Sequence, residues 1–148
     1  MDGLSAAASV IAVIQISEEV VSLCSRYLKA VKNAKSDIER LLGELSHLRA
    51  VLDGARKLLQ GPNVARLETS RLLDDGLRGC YSQLKGLETK LKGTRKGMRF
   101  IGLRALKWPF ESKEVDNVIQ TLSKFRDTLS ASLNIDQTYV ADSSLPTA

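Results

Sequence analysis

The stretch GLSAAASVIAVIQIS, Gly3–Ser17, carries no charge, yet it opens a chain that is 26% charged. How it is read decides the fold. A secretory signal places positive charge ahead of its apolar region and a cleavage site behind it. Only Asp2 precedes this run, and the helical pattern continues through Glu18 and Glu19. A membrane-spanning helix needs about 20 apolar residues, and the alanines and serines dilute a run that is already short. Two readings remain: a helix buried on most sides, or one sheltered in one state and exposed in another.

The rest of the chain supplies the shelter. At 148 residues and 43% hydrophobic content, with aromatics at 5%, it fits one leucine-rich globular unit. Asp2 is the expected N-cap of a first helix over 3–32. Leu4, Ala7, Ala8, Ile11, Ile14, Val21, Cys24, Leu28 and Val31 form its expected apolar face, and Val10, Val13, Ile16, Val20 and Leu23 widen it. Ser17 is positioned to cap a second segment. Ser36 and Glu39 have the spacing of a capping box, opening a helix over 36–60 with Ile38, Leu41, Leu42, Leu45, Leu48, Leu52, Ala55 and Leu59 on one face. Gly61-Pro62 ends it. A third helix over 66–93 carries the seam Leu73, Leu77, Cys80, Leu84, Leu87 and Leu91, weakened by Gly76, Gly79 and Gly86. Ser112 is the expected cap of a last helix over 112–134, with Val115, Val118, Ile119, Leu122, Phe125, Leu129 and Leu133 inward. There is no strand signal and no repeat. The expected class is all-α, a helical bundle of four to five helices spanning 1–138, with 139–148 a frayed tail or linker.

Little in the chain suggests catalysis. The single histidine, His47, sits between Leu45 and Leu48 and reads as an ordinary surface or boundary residue. One histidine and two distant cysteines do not match the spacing of a zinc site. Asp74 and Asp75 splay about 100° apart on a helix, and Gly93–Gly97 lacks the phosphate-loop pattern. No enzyme activity, metal or cofactor is expected. Cys24 and Cys80 read as buried small hydrophobes, and the chain as intracellular.

The charge is uneven. Between Lys85 and Lys107 eight basic residues face the single acid Glu88, so this window carries +7 of the total +5 and the remainder is −2. Within it Arg95, Lys96, Arg99, Arg104 and Lys107 interleave with Met98, Phe100, Ile101, Leu103, Leu106 and Trp108, and Phe110 follows. One reading is a loop that plugs the bundle end while its cations are solvated. The other is a contact for anionic phospholipid, in which basic side chains face headgroups and Trp108 suits the interface. No recognition motif for nucleic acid accompanies the charge, and no nucleic-acid partner is expected.

The opening MDGLSAAASVIAVIQIS (Met1–Ser17), the segment CSRY (Cys24–Tyr27) with the leucine-rich helix after it, KWPF (Lys107–Phe110) followed by Lys113-Glu-Val, and the closing Leu133 with Asp136-Gln-Thr138 resemble the HeLo-like N-terminal domain of fungal NOD-like receptors. The resemblance covers residues 1–138 and implies a helical bundle related to HeLo and mixed-lineage-kinase-like executioners. Such bundles permeabilise membranes in programmed cell death, heterokaryon incompatibility and fungal innate immunity. It implies a pore-forming or membrane-targeting effector that self-associates and inserts its N-terminal helix (Leu4, Val10, Ile11, Val13, Ile14 and Ile16 here). The basic residues Arg95, Lys96, Arg99, Arg104, Lys107 and Trp108 would meet lipid headgroups. The implied partners are anionic membrane phospholipids, further copies of the chain, and a NOD-like receptor or amyloid-motif protein. The implied location is cytoplasmic, moving to the plasma membrane on activation. Because the chain stops at Ala148, it is expected to be an excised domain or to have its regulator on another chain. The alternative is a non-lytic oligomerisation or adaptor domain whose apolar helix stays in the core.

Overall fold

The computed structural model describes residues 5–61, 70–101 and 107–144, with side chains omitted for 94–101 and 134–144. Its elements are α1 (Ala6–Ala30), α2 (Lys35–Leu59), α3 (Arg71–Ile101) and α4 (Ser112–Ser144). The all-α bundle expected from the sequence is observed.

The helix starts differ from the expected caps. Residues 1–4, with Asp2 and Leu4, lie outside the described residues. α1 is capped by Ser5, whose Oγ accepts from the Ala8 N–H at 3.1 Å. No break occurs at Ser17, which is buried inside one continuous 25-residue helix. Ser36 is not a cap. Ala34 holds that position without a side-chain bond, and Asp37 supplies negative charge in the first turn, favourable at the positive end of a helix. Ser112 is already helical. The cap lies one residue earlier, where Glu114 Oε1 accepts from the Glu111 N–H at 3.2 Å, half of a reciprocal capping box. Ser70 caps α3 through the Leu73 N–H.

Two helices outrun their expected ends. α3 continues to Ile101, so the first part of the glycine-punctuated stretch Lys92–Phe110 is helix rather than loop. Gly93 and Gly97 cost propensity, but an established helix adds each further residue far more easily than it nucleates. α4 runs to Ser144, through most of the segment read as a tail.

Around the bundle the order is α1, α2, α4, α3. α1 packs on α2 and α3, α4 packs on the same two, and among the described residues the diagonal pairs α1/α4 and α2/α3 make no close backbone approach. Glu18 pairs with Arg49 across an antiparallel α1/α2, while Asp37–Ser112 and Arg40–Asp116 contacts run in register along a parallel α2/α4. Each helix therefore has one antiparallel and one parallel neighbour, and α2 and α3, consecutive in sequence, stand on a diagonal. The core is the expected leucine seams of α2 and α3, with Val115, Leu122, Leu129 and Leu133 of α4.

The α1 face is a correction. Its core members are Val10, Val13, Ile14, Ile16, Val20, Leu23, Cys24 and Tyr27, joined by Ser9 and Ser17. Ile11 is 46% exposed and Val21, Leu28 and Val31 are half-buried. The residues expected to widen the face are largely its centre. The hydroxyls of Ser17 and Tyr27 disguised two inward positions as polar.

Gly76 and Gly79 do more than weaken α3. A β-carbon at Gly76 would lie 2.8 Å from Leu129 Cδ2, and one at Gly79 would lie 2.0 Å from Phe125 Cε1. These glycines let α4 approach. Gly86 is exposed with open space around it. Gly86→Ala is therefore expected to stabilise the chain by about 0.5–1 kcal/mol from helix propensity alone. Gly76→Ala, pressed against the fully buried Leu129, is expected to destabilise it despite the same propensity gain. Urea midpoints moving in opposite directions would establish the distinction.

Candidate functional site: the apolar helix and the basic end

Of the six residues expected to insert into lipid, Leu4 is not described. Val10, Val13, Ile14 and Ile16 face the core and only Ile11 is exposed. The outward positions of α1 after Ile11 are Gln15, Glu18, Ser22, Arg26 and Lys29, an ordinary solvated face. Among the described residues α1 is the one helix long and apolar enough to cross a bilayer, and 50% of its apolar window is buried in the bundle. The core helix of a soluble bundle meets the same criterion. Its uncharged part, Ala6–Ser17, rises only about 18 Å, against a hydrocarbon core of about 30 Å.

Polar contacts fasten α1 beyond that segment. Glu18 pairs with Arg49 of α2, and Arg49 is held in turn by Asp53. Glu19 pairs with Lys92 of α3 at 3.5 Å. These pairs are exposed, and pairs of that kind contribute about 0–1 kcal/mol each. A stronger anchor lies further along, where the buried Tyr27 hydroxyl donates to the Leu91 carbonyl at 2.9 Å.

Trp108 covers this anchor. Its ring meets Tyr27 edge-on at 5.4 Å and tilts against Phe110 at 5.1 Å, while Lys90 Nζ sits 4.6 Å above the Phe110 ring. The indole N–H is buried with no hydrogen-bond partner among the described residues. Lys107 beside it is exposed. At Lys107–Phe110 the geometry is that of apolar residues plugging the bundle end with the cation in solvent. Trp108 and Phe110 line a cleft of about 540 Å³ with Val31, Asn33, Ala34 and Asp37. Positions 95, 96 and 99 lie on the last turns of α3, their side chains undescribed, and Arg104 is outside the described residues.

The described members of the two sets stand toward opposite ends of α1. Val10 to Ile16 lie toward the start of α1, whereas Trp108 packs on Tyr27 near its end. Lys90 pairs with Glu114 of antiparallel α4, so α3 passes the start of α4 soon afterwards and positions 95–101 overhang that end. From Val10 to Val31 the rise is about 30 Å.

Sequence reasoning missed two pairings. Glu44, 8% exposed, faces Arg126 across α2/α4 at 3.2 Å, off the hydrogen-bonding line, so the contact is an ion pair without a hydrogen bond. Tyr27–Leu91 spans 64 positions of sequence, and no local signal marks it. Lys90 holds the Glu114 carboxyl below its usual range, with the Glu111 N–H adding to the effect. His47 is exposed, and no cluster of metal-ligating side chains occurs among the described residues. The chain matches no protein-family model, no curated protein and no solved structure.

Two measurements follow from this geometry. Tyr27→Phe, which removes one buried hydrogen bond and little volume, is expected to cost about 1 kcal/mol in a denaturant titration. Burial pushes the thiols of Cys24 and Cys80 up to about 12. Since the thiolate is the reactive form, both are expected to resist Ellman's reagent at mildly alkaline pH and to react together once denaturant is added.

Proposed function

We propose that this chain is a membrane-permeabilising effector bundle of the HeLo-like kind, the N-terminal effector of a fungal cell-death signalling protein. In the resting state α1 is a core helix. After oligomerisation α1 leaves the bundle and its N-terminal half enters an anionic bilayer, so that a cytoplasmic protein moves to the plasma membrane. The trigger would come from a NOD-like receptor or an amyloid-motif partner.

The observation that carries this reading is the double character of α1, apolar and long enough for a bilayer yet half buried within the bundle. Withdrawing Val10, Val13, Ile14, Ile16, Val20, Leu23, Cys24 and Tyr27 into water would cost on the order of 15 kcal/mol at about 2 kcal/mol for each side chain. That reaches or exceeds the whole stability of an ordinary domain. α1 therefore leaves only for another apolar environment, and a bilayer or an oligomer interface provides one. Because Ala6–Ser17 covers little more than half of the hydrocarbon thickness before Glu18, several copies acting together suit the chemistry better than one.

The second reading, a non-lytic adaptor, is favoured by the complete burial of Val10, Val13 and Val20. There α1 never leaves, and the bundle self-associates through its surface.

Cys24 separates the two. It is buried on α1 and lies more than one turn beyond Glu19, outside the inserting run. In a Cys80→Ala background, maleimide labelling of Cys24 is followed together with dye leakage from phosphatidylserine-containing vesicles. The expected result is leakage accompanied by labelling, with neither on phosphatidylcholine alone. Leakage while Cys24 stays protected would remove α1 from the mechanism. Self-association with neither signal would establish the adaptor.

A further inference from the structure

The sequence concentrates positive charge between Lys85 and Lys107, and the fold adds a second source beside it. Val31, Asn33 and Ala34 of the α1–α2 turn line the same cleft as Lys107 and Trp108. Lys29, Lys32 and Lys35 are carried by that turn and its flanks, and all three are exposed. Lys113, in the first turn of α4, is exposed at the same end. Residues far apart in the sequence thus meet at one end of the bundle, which the last turns of α3 overhang.

Most acids at this end are already engaged. Asp37 accepts from Arg40 at 3.2 Å and from the Ser112 hydroxyl at 2.6 Å. Asp116 pairs with Arg40, and Glu114 takes Lys90 at 2.6 Å. Lys29, Lys32, Lys35, Lys107 and Lys113 have no ion-pair partner among the described residues. They leave an excess of positive charge even against the exposed Glu39 and Glu111. The fold does not benefit from two of them. Lys35 and Lys113 stand in the first turns of α2 and α4, where the helix dipole disfavours a cation.

We infer that this bundle end is a docking face for an anionic lipid surface, with Lys29, Lys32 and Lys35 as contacts additional to the basic stretch. The inference rests on the membrane reading above and names the part of the molecule that meets the headgroups first. The cations come from several elements around one end of the bundle, an arrangement that suits an extended anionic surface. A single nucleic-acid strand would call for a basic groove with aromatic faces open for stacking. The aromatic rings described at this end, Trp108 and Phe110, are instead packed on Tyr27 and on each other.

The test is sedimentation with phosphatidylcholine vesicles, with and without phosphatidylserine, at about 0.1 M salt, where screening acts within about 10 Å. The parent is compared with a triple variant, Lys29→Gln, Lys32→Gln and Lys35→Gln. A control of equal charge change at the far end carries Arg56→Gln, Lys57→Gln and Arg71→Gln. Circular dichroism verifies the helix content of each. The triple variant is expected to partition onto phosphatidylserine vesicles roughly a hundredfold more weakly, from the contribution of each basic side chain near such a surface, while the control stays close to the parent. A parent that binds with an unaffected triple variant overturns this inference and leaves the membrane reading standing. Equal losses in the triple variant and the control assign the effect to net charge and overturn the placement. A parent that ignores phosphatidylserine overturns both.

Discussion

The bundle depends on one constraint: the N-terminal half of α1 is apolar over more of its circumference than water tolerates. Val10, Val13 and Val20 reach complete burial because α2 and α3 flank α1 on two sides. The crossed order of the helices is one way of meeting that need. With α2 and α3 both beside α1, the two stand on a diagonal, and α4 closes the square on the far side. Gly76 and Gly79 let that closure occur at short range, since any side chain there would meet Leu129 or Phe125. Dispersion and the hydrophobic effect both reward such an approach, because close-packed interiors leave few voids.

The polar contacts have a different distribution. Surface ion pairs fasten α1 to both neighbours at Glu18 and Glu19, just where its apolar run stops. Tyr27 then anchors the following turns to α3 under the cover of Trp108. α1 thus has two parts with different restraints: a front half held almost wholly by nonpolar contact and a rear half tied by hydrogen bond and ring packing. Nonpolar contact is non-directional, so the front half has no geometric requirement that a lipid chain or a second copy could not also meet. The rear half does. This difference makes the front half the part of α1 with an alternative environment, and the rear half the part whose ties must break before α1 can leave.

The apolar segment lies about 15–30 Å along α1 from the basic end, which bears on any membrane mechanism. A bundle standing with its basic end on a bilayer holds Val10–Ile16 away from that surface. Docking and insertion are then successive events, and the second requires a large movement of α1 or a change of orientation. In sequence terms both features suited one membrane contact. In the fold they stand apart.

Much of the architecture was legible in the residues. The leucine seams of α2 and α3 and the inward positions of α4 follow from spacing, because a helical period places them on one face whatever they pack against. The buried cysteines and the exposed His47 were legible for the same reason. Caps were less so: Ser36 and Ser112 have the right chemistry, but neighbouring residues entered the helix first, and Glu114 supplied the side-chain bond at α4 instead. The true core face of α1 was obscured where Ser17 and Tyr27 carry hydroxyls inward, a choice made by partners such as the Leu91 carbonyl. The sequence by itself determined that four amphipathic helices would form and that one of them had to be covered, since both depend on local period and transfer to water. Which helices cover it, why Gly76 and Gly79 are needed, and where Lys29, Lys32 and Lys35 stand relative to Lys107 were decided only by the tertiary structure, because those are distances between residues that the chain keeps far apart.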